Sequence, residues 1–186
     1  MINRYKLKLT RLQEEILRLL FIKAGTSLNA RRIALLLYVS QPAVSKALPL
    51  LEKEELITVS KDKDSKRLSI ELKRDNHEVI WLKRADNLKQ IYESGLSQWL
   101  YDNLPSATVI LFGSYALGED TLDSDIDLAI IGKEKALNLD EFEKILERKI
   151  NINYYKGLKE KDTFLLNKFL LNNILNGITL KGTVEL

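Results

Sequence analysis

The sequence predicts an α+β chain of two small domains: a helical first domain that carries a β-hairpin, then a small α/β domain with a mixed sheet. Three observations carry this reading. Helical periodicity dominates residues 9–54, two β-type segments follow at 56–72, and beyond an amphipathic stretch continuously apolar strands alternate with helices. Charge divides the chain in the same way. Residues 1–74 hold 16 Lys and Arg against 8 Asp and Glu, a net of +8, while residues 75–104 net −2 and residues 105–186 net −3. The near-neutral total of +3 hides a basic half suited to a polyanion and a mildly acidic half. The domains are accordingly expected at 1–75 and 105–186, with a connecting helix at 76–104.

Composition narrows the chemistry. With 45% hydrophobic and 30% charged residues, the 186-residue chain can bury a real core and lacks a disordered composition. Cysteine is absent, which excludes disulfides, thiolate catalysis and cysteine-based zinc sites. His77 is the single histidine, so no multi-histidine metal site exists. The N-terminal residues contain no uncharged apolar run of signal-peptide length, and no stretch of about 18 apolar residues occurs, which predicts a cytoplasmic protein with no membrane partner.

In the basic half, Leu9–Lys23 places Leu12, Ile16, Leu19 and Leu20 at helical spacing, and Gly25 follows as a terminator. A second helix spans about Asn29–Leu37 with Ile33, Leu36 and Leu37 inward. Ser40 is a good N-cap for a third helix, Gln41 to about Glu54, which buries Val44, Leu48 and Leu51. Two helices joined by a tight turn make a helix-turn-helix. The third helix leaves Gln41, Ser45 and Lys46 on its polar face, where they would meet base edges and phosphates in a major groove. Pro49 lies past that end and predicts a kink. Leu56–Ser60 and Arg67–Leu72 read as strands of a hairpin whose tip carries Lys61, Lys63 and Lys66, with Arg67 beside it.

The run VSQPAVSKALPLLEKEELI followed by a polar wing resembles the MarR-type winged-helix domains of transcription regulators, over about residues 5–74. The resemblance implies double-stranded DNA as partner and a homodimer that reads paired half-sites. Winged helices also dock proteins, but the +8 charge favours DNA, because phosphate neutralisation needs it.

Asn76 to about Leu104 reads as a helix with Trp81, Leu88, Tyr92, Leu96, Trp99 and Leu100 on one stripe; Gly95 can split it and Pro105 ends it. Such a connector packs on both domains or builds a dimer, while the part after Gly95 reads equally well as core of the second domain. His77 is expected at the surface or as a cap, without a catalytic role.

The acidic half opens with Ala107–Phe112, an apolar run typical of a buried strand. Gly113-Ser114 follows directly: glycine lets the backbone approach closely, and local amides with a serine hydroxyl suit a phosphate. Asp125 and Asp127 stand two apart at the start of a strand, Ile126–Ile131, so both carboxylates project from one face. They repel unless a divalent cation lies between them, and such oxygen ligands suit Mg²⁺ with substrate phosphates.

Gly113-Ser114 followed by Asp125-x-Asp127 resembles the signature of the DNA polymerase beta superfamily of nucleotidyltransferases. The resemblance implies a nucleoside triphosphate bound with Mg²⁺, phosphate contacts at Gly113 and Ser114, and metal-binding catalytic residues at Asp125 and Asp127, with a two-metal site as the family pattern. Active members add a third carboxylate from a later strand. Here that strand follows a helix at Asp140–Arg148 and reads Lys149-Ile150-Asn151-Ile152-Asn153-Tyr154-Tyr155, so Asn151 occupies the expected place of the acid. An amide cannot accept the nucleophile's proton, and the nearest other carboxylates, Glu147 and Glu160, lie outside the strand. Beyond it, Asp162 is expected to cap a helix containing Phe164, Leu165, Phe169, Leu170 and Ile174; Gly177 ends it, and Ile178–Leu180 adds an edge strand. Two readings stand side by side: a DNA-binding regulator that senses a nucleotide with little turnover, and a working nucleotidyltransferase governed by its first domain.

Overall fold

The computed structural model describes residues 8–61, 68–157 and 168–184, and the chain divides into two units, 1–80 and 81–186. In the first unit, helix α1 (Arg11–Ile22) begins at a reciprocal cap. The Gln13 N–H donates to Thr10 Oγ1 at 3.4 Å, and the Thr10 N–H donates to Gln13 Oε1 at 2.9 Å. Two of the donors that a helix start leaves open are thereby satisfied. Gln13 is itself buried and donates Nε2 to the Ala47 carbonyl at 3.1 Å, which pins α1 to α3 (Gln41–Lys53). The apolar stripe of α1 turns toward this contact, so Leu17 and Phe21 are buried beside Ile16 and Leu20, while Leu12 and Leu19 are half-buried.

Asn29 caps α2 (Ala30–Leu36) through Arg32 N–H, and Ser40 caps α3 through Ala43 N–H. Ile33, Val44, Leu48 and Leu51 complete the core, each burial contributing on the order of 1.5–3 kcal/mol. Helix α3 continues unbroken through Pro49, which lies on its exposed side. The carbonyl four residues earlier, which the proline leaves without its amide partner, belongs to Ser45, also exposed and open to water. Strands β1 (Ile57–Lys61) and β2 (Leu68–Leu72) pair antiparallel from Ile57 with Leu72 to Lys61 with Leu68, and a bridge joins Leu28 to Ile70. The hairpin tip with Lys63, Lys66 and Arg67 lies outside the described residues.

Helix α4 (His77–Glu93) begins in the first unit and continues into the second; α5 (Leu96–Asn103) follows after Gly95, whose φ of +79° ends the run. The apolar stripe expected on α4 is not its buried face. Trp81 and Tyr92 are 54% and 57% exposed, whereas Lys83, Asn87 and Gln90 are buried with Val79 and Ile91. A polar face is buried because it meets a buried acid, Asp120, described below. His77 is exposed.

Strands β3 (Thr108–Phe112), β4 (Ile126–Ile131), β5 (Ile150–Tyr155) and β6 (Ile178–Lys181) form a sheet in the order β5-β4-β3-β6. Strand β3 is antiparallel to β4 and β6, and β4 is parallel to β5, so the sheet is mixed as the sequence predicts. The short helix α6 (Gly113–Leu117) and a loop connect β3 to β4, and α7 (Asp140–Leu146) lies between β4 and β5. Val109, Leu111, Leu128 and Ile130 pack on one side with Ile91, Leu96 and Leu100; Ile110, Phe112 and Ala129 pack on the other with Ile174 of α8 (Lys168–Leu175). Burial of both faces explains why these strands read as unbroken apolar runs. The start of the last expected helix, with Asp162, Phe164 and Leu165, lies outside the described residues. Among the described residues no single helix is long and apolar enough to cross a membrane.

Candidate functional site

The sheet topology brings three strand ends together. Because β3 and β4 are antiparallel, the end of β3 lies beside the start of β4; because β4 and β5 are parallel, their starts coincide. Phe112 pairs with Asp127, and Asp127 with Asn151. Side-chain alternation then sends Asp125, Asp127 and Asn151 to one face of the sheet end. The Asn151 amide donates Nδ2–H bonds to Asp125 Oδ2 at 3.1 Å and to Asp127 Oδ1 at 3.3 Å. One neutral amide group therefore bridges both carboxylates and offsets part of their repulsion.

Gly113 closes the site from the β3 side. Its φ is +75°, in the left-handed region, and a Cβ built there would stand 2.6 Å from Asp127 Oδ2. Only glycine allows this approach. Ser114 is half-buried in the first turn of α6, and Phe112, at the cap position, supplies no side-chain cap to the amides there.

Magnesium, which the nucleotidyltransferase signature implies, can be tested against these residues. Among the described residues no group of three or more His, Cys, Asp or Glu is placed to hold a metal, so the donor set is two acids and one amide. It fits a hard cation nonetheless: the carboxylates converge on one point, now taken by amide hydrogens that meet the same electrostatic demand, and the amide oxygen of Asn151 is itself a hard ligand. Glu147 is exposed at the end of α7 and makes no part of this set; Glu160 lies outside the described residues.

The loop between the two motifs holds a buried group that sequence reasoning missed. Asp120, in the loop between α6 and β4, is 1% exposed. Its Oδ1 accepts from Lys83 Nζ and, at 2.7 Å, from Asn87 Nδ2; its Oδ2 lies 3.7 Å from the guanidinium of Arg148. Asn87 Nδ2 also donates to the Tyr115 carbonyl of α6 at 2.9 Å. A buried lysine in register with polar residues at helical spacing was the available signal, but apolar periodicity does not read it.

In the first unit, Gln41, Ser45 and Lys46 are exposed on the N-terminal half of α3, and Lys61 is exposed at the end of β1. Beside Gln41 a surface hollow is lined by Asn29, Arg31, Arg32, Leu35 and Val39, so Arg31 and Arg32 add exposed positive charge next to the α3 N-terminus.

Comparison with known proteins places both halves. Residues 9–69 match the MarR family model, and residues 94–176 match the nucleotidyltransferase domain model. Similar solved structures include the adhesin competence repressor AdcR of Streptococcus pyogenes, 26% identical over 56% of this chain and 72% of that one, TM-score 0.42. Others are the zinc-responsive MarR family member ZitR of Lactococcus lactis (28% identity, 54% and 67% coverage, TM-score 0.40) and the S. aureus MepR–DNA complex (28%, 52% and 76%, TM-score 0.39). No curated protein matches in sequence. The chain joins a MarR-family domain to a nucleotidyltransferase domain.

Proposed function

We propose that this protein is a DNA-binding regulator whose nucleotidyltransferase domain holds a nucleoside triphosphate with Mg²⁺ without efficient turnover, so that occupancy of the site is the signal. The Asn151 amide, bonded to both carboxylates where a third acid would complete the site, carries the reading. Asp125 and Asp127 would hold the ion, which when bound neutralises the triphosphate and polarises its α-phosphate. The backbone opened by Gly113 and the Ser114 hydroxyl would bind phosphate oxygens. Asn151 can orient an acceptor hydroxyl but cannot take its proton, because an amide has no accessible basic pair at neutral pH.

The first domain supplies the output. Gln41 and Ser45, exposed on α3, would reach base edges, and Lys46 and Lys61, with Lys63, Lys66 and Arg67 of the sequence between the strands, would neutralise phosphates, in a two-fold dimer on paired half-sites. A second reading, nucleotidyl transfer to an acceptor whose proton is taken elsewhere, draws on the otherwise complete set of Gly113, Ser114, Asp125 and Asp127.

Incubation with labelled ATP, CTP, GTP or UTP and Mg²⁺ separates the two. Saturable nucleotide retention, abolished in Asp125→Ala/Asp127→Ala, with no transfer above that control, is expected. Transfer above the control would establish the second reading, and absence of retention would refute both. Selection of genomic fragments tests the DNA arm, which fails if retention is independent of sequence and indifferent to Lys46→Ala.

A further inference from the structure

We infer that Asp120, held by Lys83, Asn87 and Arg148, is a positioning residue that sets the geometry between the Gly113-Ser114 turn and the Asp125, Asp127 and Asn151 cluster. This rests on the reading of that cluster as a cation and nucleotide site. Asp120 belongs to the short loop that joins the two motifs in sequence, so its position governs their spacing. Each of its oxygens holds a different neighbour. Oδ1 is bonded by Lys83 and Asn87 of α4, and Asn87 holds the Tyr115 carbonyl as well, which fixes α6 and with it Ser114. Oδ2 faces Arg148, three residues before Asn151 on the segment that enters β5. One buried carboxylate thus ties together the phosphate turn, the Asp-x-Asp loop and the strand that delivers the amide.

Burial makes a merely structural role insufficient. Lys83, Asp120 and Arg148 have side chains 2%, 1% and 3% exposed, so all three charges are taken out of water. Such groups stabilise a fold little better than apolar residues of the same shape, and often worse, because desolvation offsets their attraction. What they supply over apolar packing is direction: a carboxylate accepts along defined lines, and here those lines lead to the segments that carry the site.

The test uses the full chain. Lys83→Met/Asp120→Leu removes one charge of each sign with little change of volume, and Asn87→Ala is the milder variant should the double variant fail to fold. Thermal unfolding checks the fold, titration with Mn²⁺ and ATP reads affinity, and the Asn151 side-chain amide signal in the ¹⁵N NMR spectrum, identified by its loss in Asn151→Ala, reads the local geometry. Positioning predicts, in a variant that remains folded, an Asn151 amide signal displaced toward that of a free amide and Mn²⁺–ATP affinity reduced about tenfold; the unfolding temperature falls in the double variant, because buried Arg148 loses its carboxylate, and falls less in Asn87→Ala. An unmoved signal and unchanged affinity in a folded variant would overturn the inference and leave the nucleotide reading intact. Should the parent protein bind no Mn²⁺–ATP, the nucleotide reading falls, and the amide signal alone then decides the positioning role: displaced, it stands; unmoved, it fails.

Discussion

Replacing Asn151 by Asp puts the proposed role of the amide to a quantitative test. A carboxylate oxygen would stand near the present Nδ2, which is 3.1 Å from Asp125 Oδ2 and 3.3 Å from Asp127 Oδ1. Two unit charges about 4 Å apart repel by about 1 kcal/mol in water and about 4 kcal/mol at an effective dielectric constant of 20. Asp125 is exposed and Asp127 half-buried, so the aqueous end of that range governs. Loss of two hydrogen bonds to charged groups adds about 1.5 kcal/mol each, and side-chain rotation recovers part of the total. The net expectation is about 3 kcal/mol of destabilisation in chelator, or a melting point lowered by about 6–12 °C for a chain of this size. A divalent cation reverses the sign, since three carboxylates then surround a charge that relieves them. Apparent Mg²⁺ affinity should rise on the order of 30-fold, equivalent to about 2 kcal/mol. Differential scanning fluorimetry of both proteins in EDTA and across a Mg²⁺ series measures both halves, and the transfer assay measures any gained turnover. Asn151→Asp melting like the parent in EDTA and gaining nothing from Mg²⁺ would refute the shared-face geometry.

Three further outcomes follow from the same structure. Gly113→Ala should cost about 1–3 kcal/mol, from a non-glycine residue at φ +75° and a Cβ 2.6 Å from Asp127 Oδ2, and should abolish Mn²⁺–ATP retention; normal retention in a calorimetric titration would contradict the close approach. Lys46→Ala should weaken DNA binding across sequences and reduce the slope of log affinity against log salt by about 1, as read by fluorescence anisotropy over a KCl series; an unchanged slope would remove Lys46 from the phosphate contacts. Tyr155 has its phenol pKa raised by burial, so the neutral form is favoured in the folded state. Its contribution to stability is full below the ordinary tyrosine range and is lost as pH rises through the folded value. Absorbance at 295 nm should show one phenol titrating late in the parent and missing in Tyr155→Phe; no late phenol would count against the burial.

The parts of the fold that were legible in sequence are those written in apolar pattern and caps. Ser40 and Asn29 start their helices because their side chains accept amide hydrogens, and β3 and β4 read as apolar runs because both faces are covered. Asn151 was also legible, since period-two alternation in β5 fixes its face and the parallel register sets it beside Asp127. Helix α4 was misread for a physical reason. Hydrophobic periodicity assigns an inward face only to apolar residues, whereas α4 buries Lys83, Asn87 and Gln90 and exposes Trp81. The compensating charge, Asp120, is distant in sequence, and nothing local to α4 announces it. Gln13 escaped in the same way, because its partner, the Ala47 carbonyl, belongs to another helix.

The neutral bridge at Asn151 has a consequence in ion counting. Asp125 and Asp127 together carry two negative charges, and the amide adds none, so electroneutrality at the bare site calls for a single divalent ion. A three-acid site keeps one negative charge beside a single divalent ion, and that residual charge attracts a second cation, whereas the two-acid site is already neutral. The stoichiometry expected here is therefore one Mn²⁺ per chain before nucleotide arrives, with any further ion entering as the companion of the triphosphate.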